Sequence, residues 1–137
     1  MNTQIKIFMI DDDSDDQELF SDTLSSIDPS VECITPNNGQ QALQMLMGTS
    51  DALPDFIFVD LNMPVMNGFE FLKAVKNLES LQHIPVIIYT TSSAPAHKEQ
   101  AIKLGASHFL TKPTSMKELK NELEKLISSL TLASGRI

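Results

Sequence analysis

The fold is decided by residues 55–68, which read DFIFVDLNMPVMNG. Four apolar residues, Phe56 to Val59, end abruptly at the carboxylate of Asp60, and a loop containing Pro64 and Gly68 follows. An uninterrupted apolar run of this length is typical of a strand covered on both faces of a parallel sheet. The segment therefore predicts a buried strand that delivers Asp60 to one edge of a sheet, either as a turn cap or as a chemical group.

Four further units of a strand followed by a helix accompany this segment. The apolar runs predict strands at residues 5–10, 31–35, 56–59, 85–89 and 107–111. Apolar residues at helical spacing follow each strand, and Gly48 and Gly105 end the second and fourth predicted helices. This alternation predicts a three-layer, doubly wound α/β fold with helices on both faces of a parallel five-stranded sheet. We expect one domain over residues 1–130 and a frayed tail over residues 131–137.

Polar residues mark the expected starts of several helices. Ser14 with Gln17 and Ser115 with Glu118 have the spacing of a capping box, in which two side chains satisfy free backbone N–H groups. The fourth helix has Ala94 at its cap position, which is a poor capping residue. We therefore expect this helix to have the weakest start of the five.

The composition restricts the class of protein. The chain has 137 residues and a formal net charge of −8, which argues against a nucleic-acid interface. No apolar run approaches the roughly 20 residues that cross a bilayer, and the N-terminus does not resemble a signal peptide. The single cysteine, Cys33, excludes an internal disulfide and fits a reducing compartment. We expect a cytoplasmic protein that binds neither membrane nor nucleic acid.

Polar side chains follow four of the five predicted strands, at the ends where open parallel sheets bind ligands. They are Asp11, Asp12 and Asp13 after the first strand, Asp60 and Asn62 after the third, Thr90 and Thr91 after the fourth, and Lys112 after the fifth. Converging carboxylates repel one another, and oxygen ligands select a divalent ion such as Mg²⁺. A metal ion, a lysine and a hydroxyl around a further carboxylate are the parts used in phosphoryl transfer. The pattern predicts Asp60 as a nucleophile that forms an acyl phosphate.

Together these residues resemble the receiver domain of two-component response regulators. The resemblance rests on Asp11-Asp12, on the loop Asp60-Leu61-Asn62-Met63-Pro64 with Gly68, on Pro85 to Thr90, and on Lys112-Pro113. It covers about residues 5–130, and the length is similar to that of stand-alone, chemotaxis-receiver-like regulators. It implies a flavodoxin-like sheet with strand order 2-1-3-4-5.

The resemblance implies that Asp60 accepts a phosphoryl group from a sensor histidine kinase or a histidine phosphotransfer protein. Asp11 and Asp12 would hold Mg²⁺, with Asp60 and the backbone carbonyl of Asn62 completing the protein ligands. Such a phosphorelay domain is no enzyme in the usual sense, because it catalyses only its own Mg²⁺-dependent phosphorylation and dephosphorylation.

The resemblance also implies a switch. Thr90 would move toward the phosphoryl group, Lys112 would pair with it, and the Lys112–Pro113 peptide bond would be cis. Phe109 matches the aromatic switch residue. The fourth helix, fifth strand and fifth helix would form the face that binds a downstream protein, whose identity the sequence leaves open. The sequence does not fix the oligomeric state: the apolar residues of the fifth helix and of the tail through Ile137 are compatible with a dimer, so we expect a monomer or a weak homodimer.

Asp13 and Thr91 depart from the family pattern. Asp13 adds a third acid, which we interpret as a loop residue rather than a ligand. Thr91 is larger than the residue usual after the switch threonine, and is expected to narrow access to the phosphoryl group. Ser92, like Asn62, occupies a position that tunes dephosphorylation, but neither is a carboxylate, so the sequence does not set that rate.

Three other functions fit the sequence less well. A phosphatase of the haloacid dehalogenase type needs a second aspartate two residues after the nucleophile, where this chain has Asn62. A flavodoxin-type module needs a phosphate-binding loop after the first strand, where three aspartates would repel phosphate. A degenerate receiver that acts only as an interaction module is disfavoured by the complete set of acids, threonine and lysine.

Overall fold

The computed structural model describes residues 5–48 and 53–133. The strands are β1 (Lys6–Ile10), β2 (Glu32–Ile34), β3 (Phe56–Val59), β4 (Val86–Thr90) and β5 (His108–Thr111). The helices are α1 (Ser14–Ile27), α2 (Gly39–Gly48), α3 (Gly68–Asn77), α4 (Pro95–Lys103) and α5 (Met116–Ala133). Helix α5 thus continues past residue 130, where the tail was expected to begin. Residues 134–137 of that tail lie outside the described part, and the domain boundary stays a prediction.

The five strands form one parallel sheet in the order β2-β1-β3-β4-β5, which confirms the predicted topology. Ile10 pairs with Val59, and Val59 pairs with Ile88 on the other side. Thr90, the last residue of β4, pairs with Thr111, the last residue of β5. This register places residues 11, 60, 91 and 112, which directly follow four strands, at one edge of the sheet.

Two apolar layers hold the sheet between its helices. On one face, α1 and α5 cover the strands, and the layer includes Phe20, Leu24, Phe58, Tyr89, Leu119 and Leu123. On the other face, α2, α3 and α4 contribute to a layer that includes Ala42, Leu46, Phe71, Leu72, Val75 and Ala101. All four residues of β3 are buried, because successive side chains point to opposite faces and both faces are covered. Each such side chain contributes about 1.5–3 kcal/mol by leaving water.

The start of α1 differs from the prediction. Asp13, rather than Ser14, is the capping residue: its backbone is extended (φ −98°, ψ 110°) and its carboxylate accepts the N–H groups of Asp15 and Asp16. Ser14 is already helical, so the predicted capping box with Gln17 is wrong. A carboxylate is the stronger cap here, because it also meets the positive end of the helix dipole.

The starts of α3, α4 and α5 compare with the prediction in different ways. The hydroxyl of Ser115 accepts the N–H of Glu118 at 3.2 Å, which is one of the two bonds of the capping box predicted for α5. Ala94 makes no side-chain capping bond at α4, which confirms its weak start. A capping box between Asn67 and Glu70 at α3 was not predicted. Within the described residues, no helix combines the length and apolar character needed to cross a membrane.

Candidate functional site

Two buried aspartates meet where β1 and β3 end. Asp11 is fully buried, and Asp60 is 7% exposed. Because β1 and β3 are paired, the two residues that follow them are neighbours, and the Asp60 N–H donates to the carbonyl of Ile10 at 3.1 Å. Asp12 is exposed at the rim. One carboxylate oxygen from each of the three lies within 4.8 Å of the others.

This oxygen-only donor set fits a hard divalent cation. Asp11 and Asp60 are both buried, so the repulsion between their carboxylates is only weakly screened by water and salt. The carboxylate of Asp13 instead caps α1, in line with its interpretation as a loop residue. The N–H of Asn62 lies 3.5 Å from Asp60 Oδ1. The three acids predicted to hold a cation are thus brought together.

Lys112 supplies the positive charge of the site. Its Nζ donates to Asp16 Oδ2 at 2.7 Å, to Asp11 Oδ2 at 2.9 Å and to Asp60 Oδ2 at 3.3 Å. The ammonium group also lies 5.5 Å from the ring centroid of Tyr89, within range of a cation–π contact. The prediction that Lys112 lies beside Asp60 is confirmed in this geometry.

Burial and pairing set the charges of these groups. Burial raises the pKa of Asp11 above its ordinary value, against hydrogen bonds from Lys112 and the Asp13 N–H that favour the ionised form. Burial alone would lower the pKa of Lys112, but its hydrogen bonds to Asp16 and Asp11 and the negative charges around it raise the pKa above the ordinary value. Burial likewise raises the pKa of Tyr89 to about 12. Lys112 is therefore a permanent cation among carboxylates.

Thr90, the predicted switch threonine, ends β4 and is fully buried. Its hydroxyl accepts the N–H of Ser92 at 3.3 Å, and its carbonyl accepts the N–H of Lys112 at 2.6 Å. The hydroxyl of Thr111 donates to the carbonyl of Ser92 at 3.0 Å. Thr91 is exposed, and its effect on access to the site stays a prediction. These bonds fix the loop after β4 against the end of β5.

Residues 7–124 match the family model described as the response regulator receiver domain. The chain belongs to this family. The predicted family and its general function, a phosphoacceptor domain of two-component signalling, are therefore confirmed. The chain is 38% identical over 133 residues to a protein-glutamate methylesterase/protein-glutamine glutaminase of Clostridium acetobutylicum. That match covers 95% of this chain but only 37% of the relative's length. The chain also matches 98% of the chemotaxis protein CheY1 of Helicobacter pylori, at 28% identity over 125 residues and 91% of this chain.

Solved structures agree with the family. The phosphorylated cyanobacterial phytochrome response regulator RcpA superposes with a TM-score of 0.82 at 26% identity, covering 90% of this chain and 91% of that one. The Mn²⁺-bound form of response regulator Rcp1 gives a TM-score of 0.79 at 26% identity, covering 90% and 92%. Both are similar to this receiver domain over nearly its whole fold.

One implication of the resemblance is wrong. The peptide bond between Lys112 and Pro113 is trans in this receiver domain. Lys112 is aimed instead by its backbone, because its N–H is bound to the Thr90 carbonyl, and by the carboxylates around its ammonium group.

Two site residues were missed by sequence reasoning. Asp16 was interpreted only as a residue suited to the helix dipole, but it makes the shortest contact to Lys112. Gln17 was assigned to a capping box, but it is buried and its amide donates to the carbonyls of Asp11 at 2.7 Å and Pro36 at 3.0 Å. Gln17 thereby ties the end of β1 to the segment after β2. A polar side chain on the inward face of α1 was the available signal.

A cleft of about 370 Å³ opens beside the site between the loop after β3 and the start of α4. His97 lines it, with its ring 6.0 Å from that of Phe69 and its Nδ1 2.7 Å from the hydroxyl of Ser92. These contacts join the first turns of α3 and α4.

Phe109, the predicted aromatic switch residue, lies on β5 beside Ile88. Its side chain is partly buried and packs against the apolar layer between the sheet and helices α2, α3 and α4. It also lines a cavity of about 250 Å³ between β5 and α5, together with Leu110 and Leu126. The structure thus places Phe109 on the predicted α4-β5-α5 face.

Proposed function

We propose that Asp60 of this receiver domain accepts a phosphoryl group in a Mg²⁺-dependent transfer from a phosphohistidine. The donor would be a sensor histidine kinase or a histidine phosphotransfer protein. One observation carries the assignment: Lys112 Nζ and the carboxylates of Asp11 and Asp12 converge on Asp60, the acid that follows the central strand. Family membership supports the reaction class.

In the proposed transfer, a carboxylate oxygen of Asp60 attacks phosphorus, and an O–P bond forms as the N–P bond to the histidine breaks. The electron pair of that bond returns to the imidazole nitrogen, and the product is an aspartyl phosphate. Lys112, 3.3 Å from Asp60 Oδ2, is placed to neutralise a non-bridging phosphoryl oxygen. The same lysine lowers the repulsion between Asp60 and the incoming dianion.

Asp11, Asp12 and Asp60 would hold the Mg²⁺, with the backbone carbonyl of Asn62 as the remaining predicted protein ligand. When bound, the ion supplies positive charge for the phosphoryl oxygens and offsets the repulsion among the acids. The bound Mn²⁺ in the similar Rcp1 structure supports a divalent ion in this fold. The role of each ligand in this chain remains a proposal.

Phosphorylation would be reported through Thr90 and Phe109. The Thr90 hydroxyl now accepts the Ser92 N–H, and an anionic phosphoryl oxygen is a stronger acceptor for the hydroxyl's own proton. The α4-β5-α5 face would have two conformations. A phosphoryl group that binds Thr90 in only one of them would shift the population toward that conformation. That face would bind a downstream protein. We further propose a cytoplasmic monomer or weak homodimer that does not bind nucleic acid or membrane.

The proposal is tested with acetyl phosphate, a small acyl-phosphate donor, and Mg²⁺. Intact-mass measurement should show one added phosphoryl group that survives acid and is lost in base. Asp60→Asn should abolish it, and Asp12→Asn should require more Mg²⁺. Asp22→Asn, which removes an exposed acid of α1, is the matched control for charge. Labelling that persists in Asp60→Asn, or that is equally fast in EDTA, would refute the proposal.

A further inference from the structure

Lys112 is held by three carboxylates, and its shortest contact is to the one outside the candidate metal cluster. Asp16 Oδ2 lies 2.7 Å from Nζ, compared with 2.9 Å for Asp11 and 3.3 Å for Asp60. Asp16 comes from the first turn of α1, whereas the other two follow strands. Among the described residues, the acids grouped for a cation are Asp11, Asp12 and Asp60, and Asp16 is not one of them.

The three contacts respond differently to the reaction. A lysine ammonium group has three N–H donors, and three carboxylates engage them here. A cation bound by Asp11 competes with Lys112 for that carboxylate, and phosphorylation turns an Asp60 oxygen into an uncharged bridging atom. Asp16 is then the one carboxylate on Lys112 that neither event engages.

We infer that Asp16 is a positioning residue for phosphoryl transfer, which holds Lys112 so that one N–H stays directed at Asp60. The inference rests on the proposed roles of Asp60 and Lys112. Asp16 acts through the lysine and contacts neither the phosphoryl group nor the cation. The Asp16 side chain is 36% exposed, so its carboxylate stays partly hydrated while it holds the lysine.

In the alternative, Asp16 does not position Lys112 and only adds one negative charge that repels the anionic phosphoryl donor. Removing a mere charge would speed the transfer, because the phosphate would meet less repulsion. Removing an anchor would slow it, because Lys112 would leave its productive position more often. The two roles therefore predict opposite signs for the same substitution.

The experiment compares Asp16→Asn with Asp15→Asn in the full chain. Asp15 is the exposed neighbour in α1, so its substitution matches the change in charge. The rates of phosphorylation by acetyl phosphate are measured at saturating Mg²⁺ over a range of donor concentrations. For Asp16→Asn we expect a maximal rate lower by on the order of tenfold, with little change in the half-saturating donor concentration. Asp15→Asn should stay within about twofold of the unsubstituted chain, and Asp16→Glu should recover most of the rate.

Two further readouts separate positioning from a general structural effect. The Lys112 Nζ protons, followed by ¹⁵N NMR, should exchange with water faster in Asp16→Asn and unchanged in Asp15→Asn. The Mg²⁺ affinity should be the same in both variants. An Asp16→Asn rate equal to or above that of Asp15→Asn, unchanged Lys112 exchange, or an equal loss of Mg²⁺ affinity would overturn the inference. Failure of the unsubstituted chain to be labelled at Asp60 would overturn the proposed function as well.

Discussion

Gly68 lies so close to the backbone of Asp60 and Leu61 that no side chain fits between them. Gly68→Ala should therefore disturb both the fold and the site. An added Cβ would lie 2.5 Å from the carbonyl oxygen of Asp60 and 2.9 Å from the Cα of Leu61. Carbon atoms prefer separations of about 3.5–4.0 Å, so the loop would have to shift by roughly 0.5–1 Å. Both contacted atoms belong to the backbone and cannot rotate away.

The expected loss of stability follows from this overlap. Overpacking costs about 1–3 kcal/mol. The shift also weakens the hydrogen bond from the Gly68 N–H to the Leu61 carbonyl, now 3.0 Å, which is worth about 1 kcal/mol. Alanine returns up to about 1 kcal/mol through its helix propensity, so we expect a net loss of about 2 kcal/mol. In a domain of this size, that lowers the Tm by roughly 6–12 °C.

Far-UV circular dichroism is the suitable assay, because the chain has no tryptophan. Gly48→Ala is the matched control: at the end of α2, no atom of the described residues lies within 4 Å of the added Cβ, and stability should be equal or slightly higher. Acetyl phosphate labelling gives a second readout, since a displacement of Asp60 approaching 1 Å should cost up to about 100-fold in rate. If Gly68→Ala matches Gly48→Ala in Tm and keeps the unsubstituted rate, the close approach has no such role.

Two further predictions concern the backbone and the thiol. Val65 has a φ of 70° and is 78% exposed, a strained conformation for a β-branched residue, so Val65→Asn should stabilise the protein by about 0.5–1 kcal/mol in urea unfolding. Destabilisation would show that Val65 makes a contact worth more than the strain. Burial raises the pKa of Cys33 from 9.0 to about 11, so iodoacetamide should alkylate it about a hundredfold more slowly at pH 8 than in urea-unfolded chain. Equal rates would contradict this.

The general fold could be predicted because its signals are local. Strand β3 is apolar at every position because both of its faces are covered. An apolar run of consecutive residues can be recognised in the sequence without knowledge of distant contacts. The polar residues after β1, β3, β4 and β5 could likewise be placed at one edge, since parallel strands carry their carboxyl ends to the same side. Asp60, Thr90 and Lys112 were therefore identified as neighbours from order alone.

The capping residues were harder to predict from the sequence, because several neighbouring residues can cap the same end of a helix. Asp13 and Ser14 are both good capping residues, and which one caps α1 depends on the angle at which the chain leaves β1. The trans bond before Pro113 likewise departs from the family expectation, and the sequence carries no signal that separates the two isomers.

The sequence by itself determined the order of strands and helices, the acids and the lysine at the sheet edge, and Asp60 as the residue on which they converge. Only the tertiary structure decided which carboxylates hold the lysine. Asp15 and Asp16 are equivalent in sequence, both acids in the first turn of α1, yet only Asp16 reaches Lys112. The reason is geometric: successive residues of a helix point about 100° apart, and the packing of α1 on the sheet selects the one that faces the site.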